Sequence, residues 1–289
     1  MATQFPVSPY VIEALVRAAL DEDGAGDDLT TRALIKPEQW GRATFVAKDH
    51  GVVCGLPVAA AAMTALDPEI SFDTLVADGD RVSAGEQLAE VEGPFRSILA
   101  AERVALNFLQ HLSGVASLTR EFVEAVTGTR ALILDTRKTT PGLRQLERFA
   151  VLCGGGVNHR FNLAAGILIK DNHIAAARQY GMEDLADVVA QTRAAAPIGM
   201  RIEIEVTTLA EVREAVDGAA DIILLDNMSL DDMRAAVEVV GGRAIVEASG
   251  GVSMANVRAV AETGVDYISI GRLTHSAPAL DISLEAGLA

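Results

Sequence analysis

The sequence predicts a mixed α/β protein whose second half is built of parallel βα units. Six apolar, β-branched runs, at residues 131–135, 166–170, 202–206, 222–226, 244–248 and 266–271, have the pattern of parallel strands buried on both faces. Helical patterns at 209–216, 230–239 and 254–263 separate the last four runs, a βα repeat of about 20 residues. The first half instead alternates short strands with turns. A length of 289 residues suits one large or two medium domains with a packed core.

The elements follow in order. Ser8-Pro9 ahead of Val11, Ile12, Leu15, Val16 and Ala19 reads as an amphipathic helix, capped by Ser8, with Pro at its first position. A turn-rich segment, Asp23-Gly24-Ala25-Gly26-Asp27-Asp28, leads to Thr30-Thr31. Strands are expected at 43–47, 52–53, 70–76, 81–82 and 87–91, with a helix at 56–66 among them. Residues 78–86 resemble the hairpin of biotin- and lipoyl-carrier folds. Such carriers need a lysine at the turn, and none lies between Lys48 and Lys138, so this hairpin is scaffold. From 94 to 127 the pattern is helical, broken at Gly114, and marks the passage from a first domain (1–114) to a second (115–271). Six strands are too few for an eight-stranded barrel. Either the barrel is incomplete or strands escape the pattern, and much of 136–166 reads as inserted helix and loop.

Charge narrows the function. Between Arg130 and His173 lie seven Lys and Arg against three acids, a local +4 in a chain of net −16, which leaves −20 for the remainder. Folding does not require cations to concentrate so sharply. A cleft that holds a polyanionic small molecule does, because focused positive potential raises its local concentration. The acidic remainder argues against nucleic acid and anionic membrane surfaces as partners. Cys54 and Cys153 make neither a disulfide framework nor a metal-site spacing, which suits a reducing cytosol. No basic leader precedes an apolar core, and the run 52–66 is too short to span a bilayer. The expected location is cytoplasmic.

The strand ends carry the chemistry. Asp135 is followed by Arg137 and Lys138, and later strands end at or near Lys170, Glu205, Asp226 and Glu247. In βα barrels the C-terminal strand ends form the active-site face, so these charges converge on one mouth. Any one such charge usually just meets solvent; five strands with the same polarity argue otherwise. After the fifth strand comes Ser249-Gly250-Gly251, ahead of a helix with Ser253 as its expected cap, and Gly271 closes the sixth. Alone, a Ser-Gly-Gly is more often a tight turn. Here the glycines let backbone N–H groups approach a phosphate.

These residues form a pattern. Leu134-Asp135-Thr136-Arg137-Lys138-Thr139-Thr140-Pro141-Gly142-Leu143-Arg144 resembles the signature of the quinolinate phosphoribosyltransferases (carboxylating nicotinate-nucleotide pyrophosphorylases), a type II phosphoribosyltransferase family. So do Gly154-Gly155-Gly156-Val157-Asn158-His159-Arg160 and Leu168-Ile169-Lys170-Asp171-Asn172-His173, with further matches at Glu102-Arg103, Leu106-Asn107, Ser113-Gly114, Leu225-Asp226-Asn227, Ser249-Gly250-Gly251 and Thr263-Gly264-Val265-Asp266. The resemblance spans nearly the whole chain. Ala165 departs from it, where many relatives carry Asp.

The resemblance implies an N-terminal α/β sandwich domain joined to an incomplete, TIM-like α/β barrel, with the tail 272–289 returning to the first domain. It implies phosphoribosyl transfer from phosphoribosyl pyrophosphate to quinolinate, giving nicotinate mononucleotide, pyrophosphate and CO2, with Mg2+. It also implies a homodimer or larger assembly in which Arg103 enters the neighbouring subunit's site. By similarity Arg103, Arg137, His159, Arg160 and Lys170 surround quinolinate, since guanidinium forks suit adjacent carboxylates. Thr136 is a further substrate contact, and Lys138, Lys170, Ser249, Gly250, Gly251 and Gly271 belong with the phosphoribosyl donor. Glu205 and Asp226 position Mg2+, directly or through water; Glu203, two residues before Glu205 on the same strand face, is a further candidate for that duty, and Glu247 and His275 are candidates that support the site from behind its contact residues. The alternatives are a related barrel phosphoribosyltransferase with another aromatic acceptor such as nicotinate, and a non-catalytic anion-binding relative.

Overall fold

The computed structural model describes residues 7–287. Residues 1–6 and 288–289, the outermost parts of the expected segments 1–114 and 272–289, lie outside the described residues. The chain divides into two compact units, 1–120 with 139–155 and 272–289, and 121–138 with 156–271. No described helix is long and apolar enough to cross a membrane.

The first unit opens with α1 (Pro9–Asp23), which begins at Pro9 as expected, although the Ser8 side chain makes no capping bond; Gly24 in the left-handed region ends it. The turn-rich segment folds into a short 3-10 helix and α2 (Leu29–Leu34), capped by the Asp28 carboxylate through the Thr31 N–H at 3.0 Å. Strand β1 (Trp40–Ala47), the short β2 (Gly51–Val52), α3 (Leu56–Leu66), β3 (Ser71–Thr74), β4 (Arg81–Val82) and β5 (Gln87–Pro94) follow. Segment 78–86 is not a hairpin. β4 pairs with β2, and the chain then crosses to β5 in another sheet. That sheet has the order β12-β1-β5-β3, antiparallel throughout, and β12 (Ile282–Gly287) is the returning tail paired along β1. Both cysteines are buried thiols.

Helix α4 (Phe95–Ala125) runs unbroken through Gly114. A glycine inside a helix costs about 1 kcal/mol against alanine, so its presence needs a reason. A Cβ at Gly114 would overlap the Pro278 carbonyl. The returning tail crosses the helix there, with Leu280 N–H bonding Gln110 O at 3.0 Å and Gln110 Nε2 bonding Ile282 O at 2.7 Å.

The second unit is a six-stranded sheet in the order β6-β11-β10-β9-β8-β7, parallel at every pairing. Its strands are β6 (Leu132–Leu134), β7 (Ile167–Ile169), β8 (Ile202–Val206), β9 (Ile222–Asp226), β10 (Ile245–Ser249) and β11 (Tyr267–Ser269). β6 and β7 are consecutive strands yet form opposite edges; beyond β6 only a single bridge, Leu134 to Val157, continues the pairing. The six runs are therefore the whole sheet among the described residues, and the barrel is incomplete. Between β6 and β7 the chain makes α5 (Arg144–Cys153), which packs with the first unit. The other helices are α6 (Asp171–Gln179), α7 (Leu185–Ala195), α8 (Leu209–Asp217), α9 (Leu230–Val240), α10 (Val257–Ala261) and α11 (Arg272–His275). Ser253 does not cap α10, whose N-cap is Asn256; it starts the turn before it.

Strand alternation sorts the side chains. On β8, Ile202, Ile204 and Val206 lie on one face and Glu203 and Glu205 on the other; on β10, Val246 and Ala248 oppose Glu247 and Ser249. The register puts Glu205 and Glu247 level with Leu224, and Asp226 level with Ser249 one step nearer the strand ends. The face that carries these acids is the floor of the site.

Candidate active site

A cavity of about 680 Å³ opens at the C-terminal strand ends of the second unit. Arg137, Lys138, His159, Arg160 and Lys170 line one part of it, and Glu205, Asp226, Glu247 and Ser249-Gly250-Gly251 the other.

The cations are held by backbone geometry and buried acids. Asp135, at 0% exposure just past β6, accepts the His159 N–H and the Asn158 Nδ2–H, both at 2.7 Å. A carboxylate there fastens the loop that carries His159 and Arg160. Arg160 Nη1 donates to Gly166 O at 2.8 Å. Burial, then the neighbouring charge of Arg137, lowers the Arg160 pKa. Two guanidiniums this close repel, and an anion between them removes that cost. Lys170 Nζ donates to Glu205 Oε2 at 2.6 Å.

Below the cations, His159 Nε2 lies 3.1 Å from Glu203 Oε2 and 3.8 Å from Glu247 Oε2. Glu203 is 4% and Glu247 1% exposed. Arg160 N–H donates to His159 Nδ1 at 2.7 Å, so the ring proton sits on Nε2, facing the carboxylates. Burial alone would lower the imidazole's pKa, but the hydrogen bond and charge of Glu203, then the charges of Glu247 and Asp135, raise it. Burial, then the charge of Glu203, pushes Glu247 up to about 7.

At the other side of the mouth, Gly250 has φ +86° and a Cβ there would overlap the Asn227 side chain. Asn227 is itself left-handed (φ 53°), donates its backbone N–H to Ser249 O at 2.9 Å, and donates from Nδ2 to Asp226 Oδ2 at 2.9 Å. This one residue joins the glycine turn to the Asp226 carboxylate.

Two family models match, the quinolinate phosphoribosyl transferase N-terminal domain over residues 28–113 and its C-terminal domain over 115–285. The chain belongs to the quinolinate phosphoribosyltransferase family. It is 42% identical to the probable carboxylating nicotinate-nucleotide pyrophosphorylase of Bacillus subtilis, over 93% of this chain and 91% of the relative. Among solved structures it resembles NadC from Streptococcus pyogenes, with TM-score 0.92 and 42% identity over 98% of this chain and 99% of that one. It also resembles the nicotinate-nucleotide pyrophosphorylase of Francisella tularensis, with TM-score 0.90 and 36% identity over 99% and 100%.

Within this phosphoribosyltransferase, Thr136, Arg137, Lys138, His159, Arg160, Lys170, Glu205, Asp226, Ser249, Gly250 and Gly251 share the one cavity. Gly271 is not among its lining residues, and Arg103 stands exposed on α4 in the first unit. His275 is exposed on α11, bonded to Ser276. Ala165 is exposed beside Gly166. Three groups gain a definite place that the sequence reading did not supply: Asp135 beneath the His159 loop, Asn227 beside Asp226, and the pair Glu203–Glu247 against His159. The signal for the pair was present, since an acid flanked by buried residues in the middle of a strand is rare without a partner.

Proposed function

We infer that this chain transfers the phosphoribosyl group of phosphoribosyl pyrophosphate to quinolinate and decarboxylates it, yielding nicotinate mononucleotide, pyrophosphate and CO2 for NAD biosynthesis. The observation that carries this reading is the concentration of Arg137, Lys138, His159, Arg160 and Lys170 on one cavity wall opposite Glu205 and Asp226, in a chain that matches the family along both domains. A monoacid acceptor such as nicotinate would need fewer cations, and a non-catalytic relative would have no use for the two acids at the mouth.

Arg137 and Arg160 suit the adjacent carboxylates of the acceptor, and Lys138, Lys170 and the Ser249–Gly251 turn suit the donor's phosphates. As pyrophosphate leaves C1 of the ribose, positive charge develops on the sugar and negative charge on the leaving group, and the lysines offset the latter. The pyridine nitrogen attacks C1. Once quaternised, it stabilises a carbanion at the neighbouring ring carbon, so the 2-carboxylate departs as CO2. No side chain acts as nucleophile; the protein's share is positioning and electrostatics.

Glu205 and Asp226 suit Mg2+. They are two carboxylates at an open mouth, with Lys170 on one oxygen of Glu205 and Asn227 on one of Asp226, so the remaining oxygens can reach a hydrated ion that keeps most of its waters. When bound, Mg2+ supplies charge neutralisation for the departing pyrophosphate. We assign the active form to a cytoplasmic homodimer or larger assembly in which Arg103 reaches the partner's site.

Pyrophosphate release with quinolinate against nicotinate as acceptor tests the reading: release is expected with the first and not the second. Arg160→Ala should weaken quinolinate binding by about 2–5 kcal/mol, because an acceptor carboxylate is left unpaired. Equal rates with both acceptors would overturn the diacid assignment.

A further inference from the structure

The acceptor chemistry proposed above leaves one requirement unmet, and this inference rests on that chemistry. When the C2–carboxylate bond breaks, its electron pair stays on C2, and that carbon must then gain a proton. The arginines at the wall do not give up protons near neutral pH, Lys170 is ion-paired to Glu205, and Lys138 is exposed. The floor beneath them is different. We propose that Glu247 is the acid that protonates C2 after CO2 departs, with Glu203 and His159 as the positioning residues that keep its proton available.

Glu247 lines the same cavity as Arg137, Arg160 and Lys170, yet its side chain is 1% exposed. Its Oε1 is buried and has no hydrogen-bond partner among the described residues. An ionised carboxylate oxygen left so would be costly, whereas a neutral carboxylic acid in the same place costs far less. The groups that face it are Glu203 from β8, His159 from its loop, Ser269 from β11 and Asp135 from the end of β6. Glu203 and Asp135 add negative charge, and two acids beside one imidazole do not both ionise easily away from water. The result is a pKa of about 7, where an acid is effective at neutral pH.

The three side chains lie within 4.8 Å of one another, a spacing that could also hold a metal ion. The Arg160 N–H on His159 Nδ1 argues for the proton instead. It leaves the ring hydrogen on Nε2, aimed at the carboxylates, and a ring nitrogen that carries hydrogen is not a metal ligand.

The step balances. CO2 leaves with the C2 bond broken and the pair retained on carbon; the Glu247 O–H bond then breaks as the C2–H bond forms. The carboxylate left behind regains a proton from water before the next turnover.

The test separates the two halves of the reaction in single turnovers, following pyrophosphate release and nicotinate mononucleotide formation independently alongside quinolinate Kd. In Glu247→Gln, quinolinate Kd and pyrophosphate release should stay within about threefold of the parent, while mononucleotide formation lags by about tenfold or more. The parent's second step should slow as pH rises through about 7, and in Glu247→Gln that fall should vanish. Glu203→Gln keeps the acid and removes a like charge, so the fall should move to lower pH. Equal slowing of both steps, no slowing, or an unmoved pH profile in both variants would overturn the proposal. A parent that releases no pyrophosphate with quinolinate instead sinks the acceptor reading, a failure visible before any variant is made.

Discussion

Replacing Asp78 with Asn should stabilise the protein at alkaline pH and not at acid pH. The Asp78 carboxylate caps α3, accepting the Gly55 N–H at 2.9 Å and the Leu56 N–H at 3.1 Å through Oδ1. Its Oδ2 is buried and has no partner among the described residues. Burial outweighs those two bonds and, with the charge of Asp80, raises the pKa from 3.8 to about 6. The folded state thus holds a proton that the unfolded chain releases between about pH 4 and pH 6. That contribution to stability is complete below the unfolded value and is lost as pH rises through the folded one. A shift of roughly two units corresponds to about 3 kcal/mol. Asparagine keeps an acceptor for both N–H groups and carries no charge at any pH. At pH 8 the variant should gain about 1–3 kcal/mol, less than the full figure because neutral acceptors bond more weakly. At pH 4.5, still above the unfolded value, the difference should be smaller than at pH 8 by about 2 kcal/mol. Urea unfolding at pH 4.5, 6 and 8, at one fixed protein concentration, measures this from the midpoints and slopes. A variant that is less stable at pH 8, or a gap that does not change with pH, would refute the account of Asp78.

Three further outcomes are expected. Asp226→Asn should lower turnover and raise the magnesium concentration needed for half-maximal rate, leaving quinolinate affinity largely intact; an unchanged magnesium dependence removes Asp226 from that role. Arg103→Ala chains co-assembled with Lys170→Ala chains, each inactive alone, should recover up to about a quarter of parental activity, because each mixed dimer holds one site with neither substitution. Mixed dimers that form without recovery place Arg103 in its own chain's site. Gly250→Ala, which strains a φ of +86° and collides with Asn227, should raise the KM for phosphoribosyl pyrophosphate more than that for quinolinate; equal changes would count against a phosphate role for this turn.

The second unit was the most legible part of the chain. A parallel strand buried on both faces needs a continuous apolar, β-branched run, so 202–206 and 222–226 stand out without any knowledge of their neighbours. The charges that end these strands are legible for the same reason, since a break in an apolar run marks where the chain meets the cavity. Helix α4 was less so. Gly114 reads as a break because local propensity disfavours it, and only the tail passing at Pro278 explains why a glycine is needed within an intact helix. Segment 78–86 likewise has the turn residues of a hairpin, but its strand β4 pairs with β2 and the β5 that follows pairs in another sheet, and partner choice is not a local property.

The amino-acid sequence by itself determined the βα repeat, the cationic island, the acids at the strand ends and the family motifs, because each depends on residue type and short-range spacing. Tertiary structure alone decided which of those groups meet. Glu203 and Glu247 lie 44 positions apart on strands separated by β9, and His159 lies on a loop far before both. Their approach to within 4.8 Å follows from register and from the Asp135 anchor under the loop, and it gives the buried acid its partners. A pKa near 7 is a property of that enclosure. It depends on burial and neighbouring charge together, and neither exists until the chain has folded.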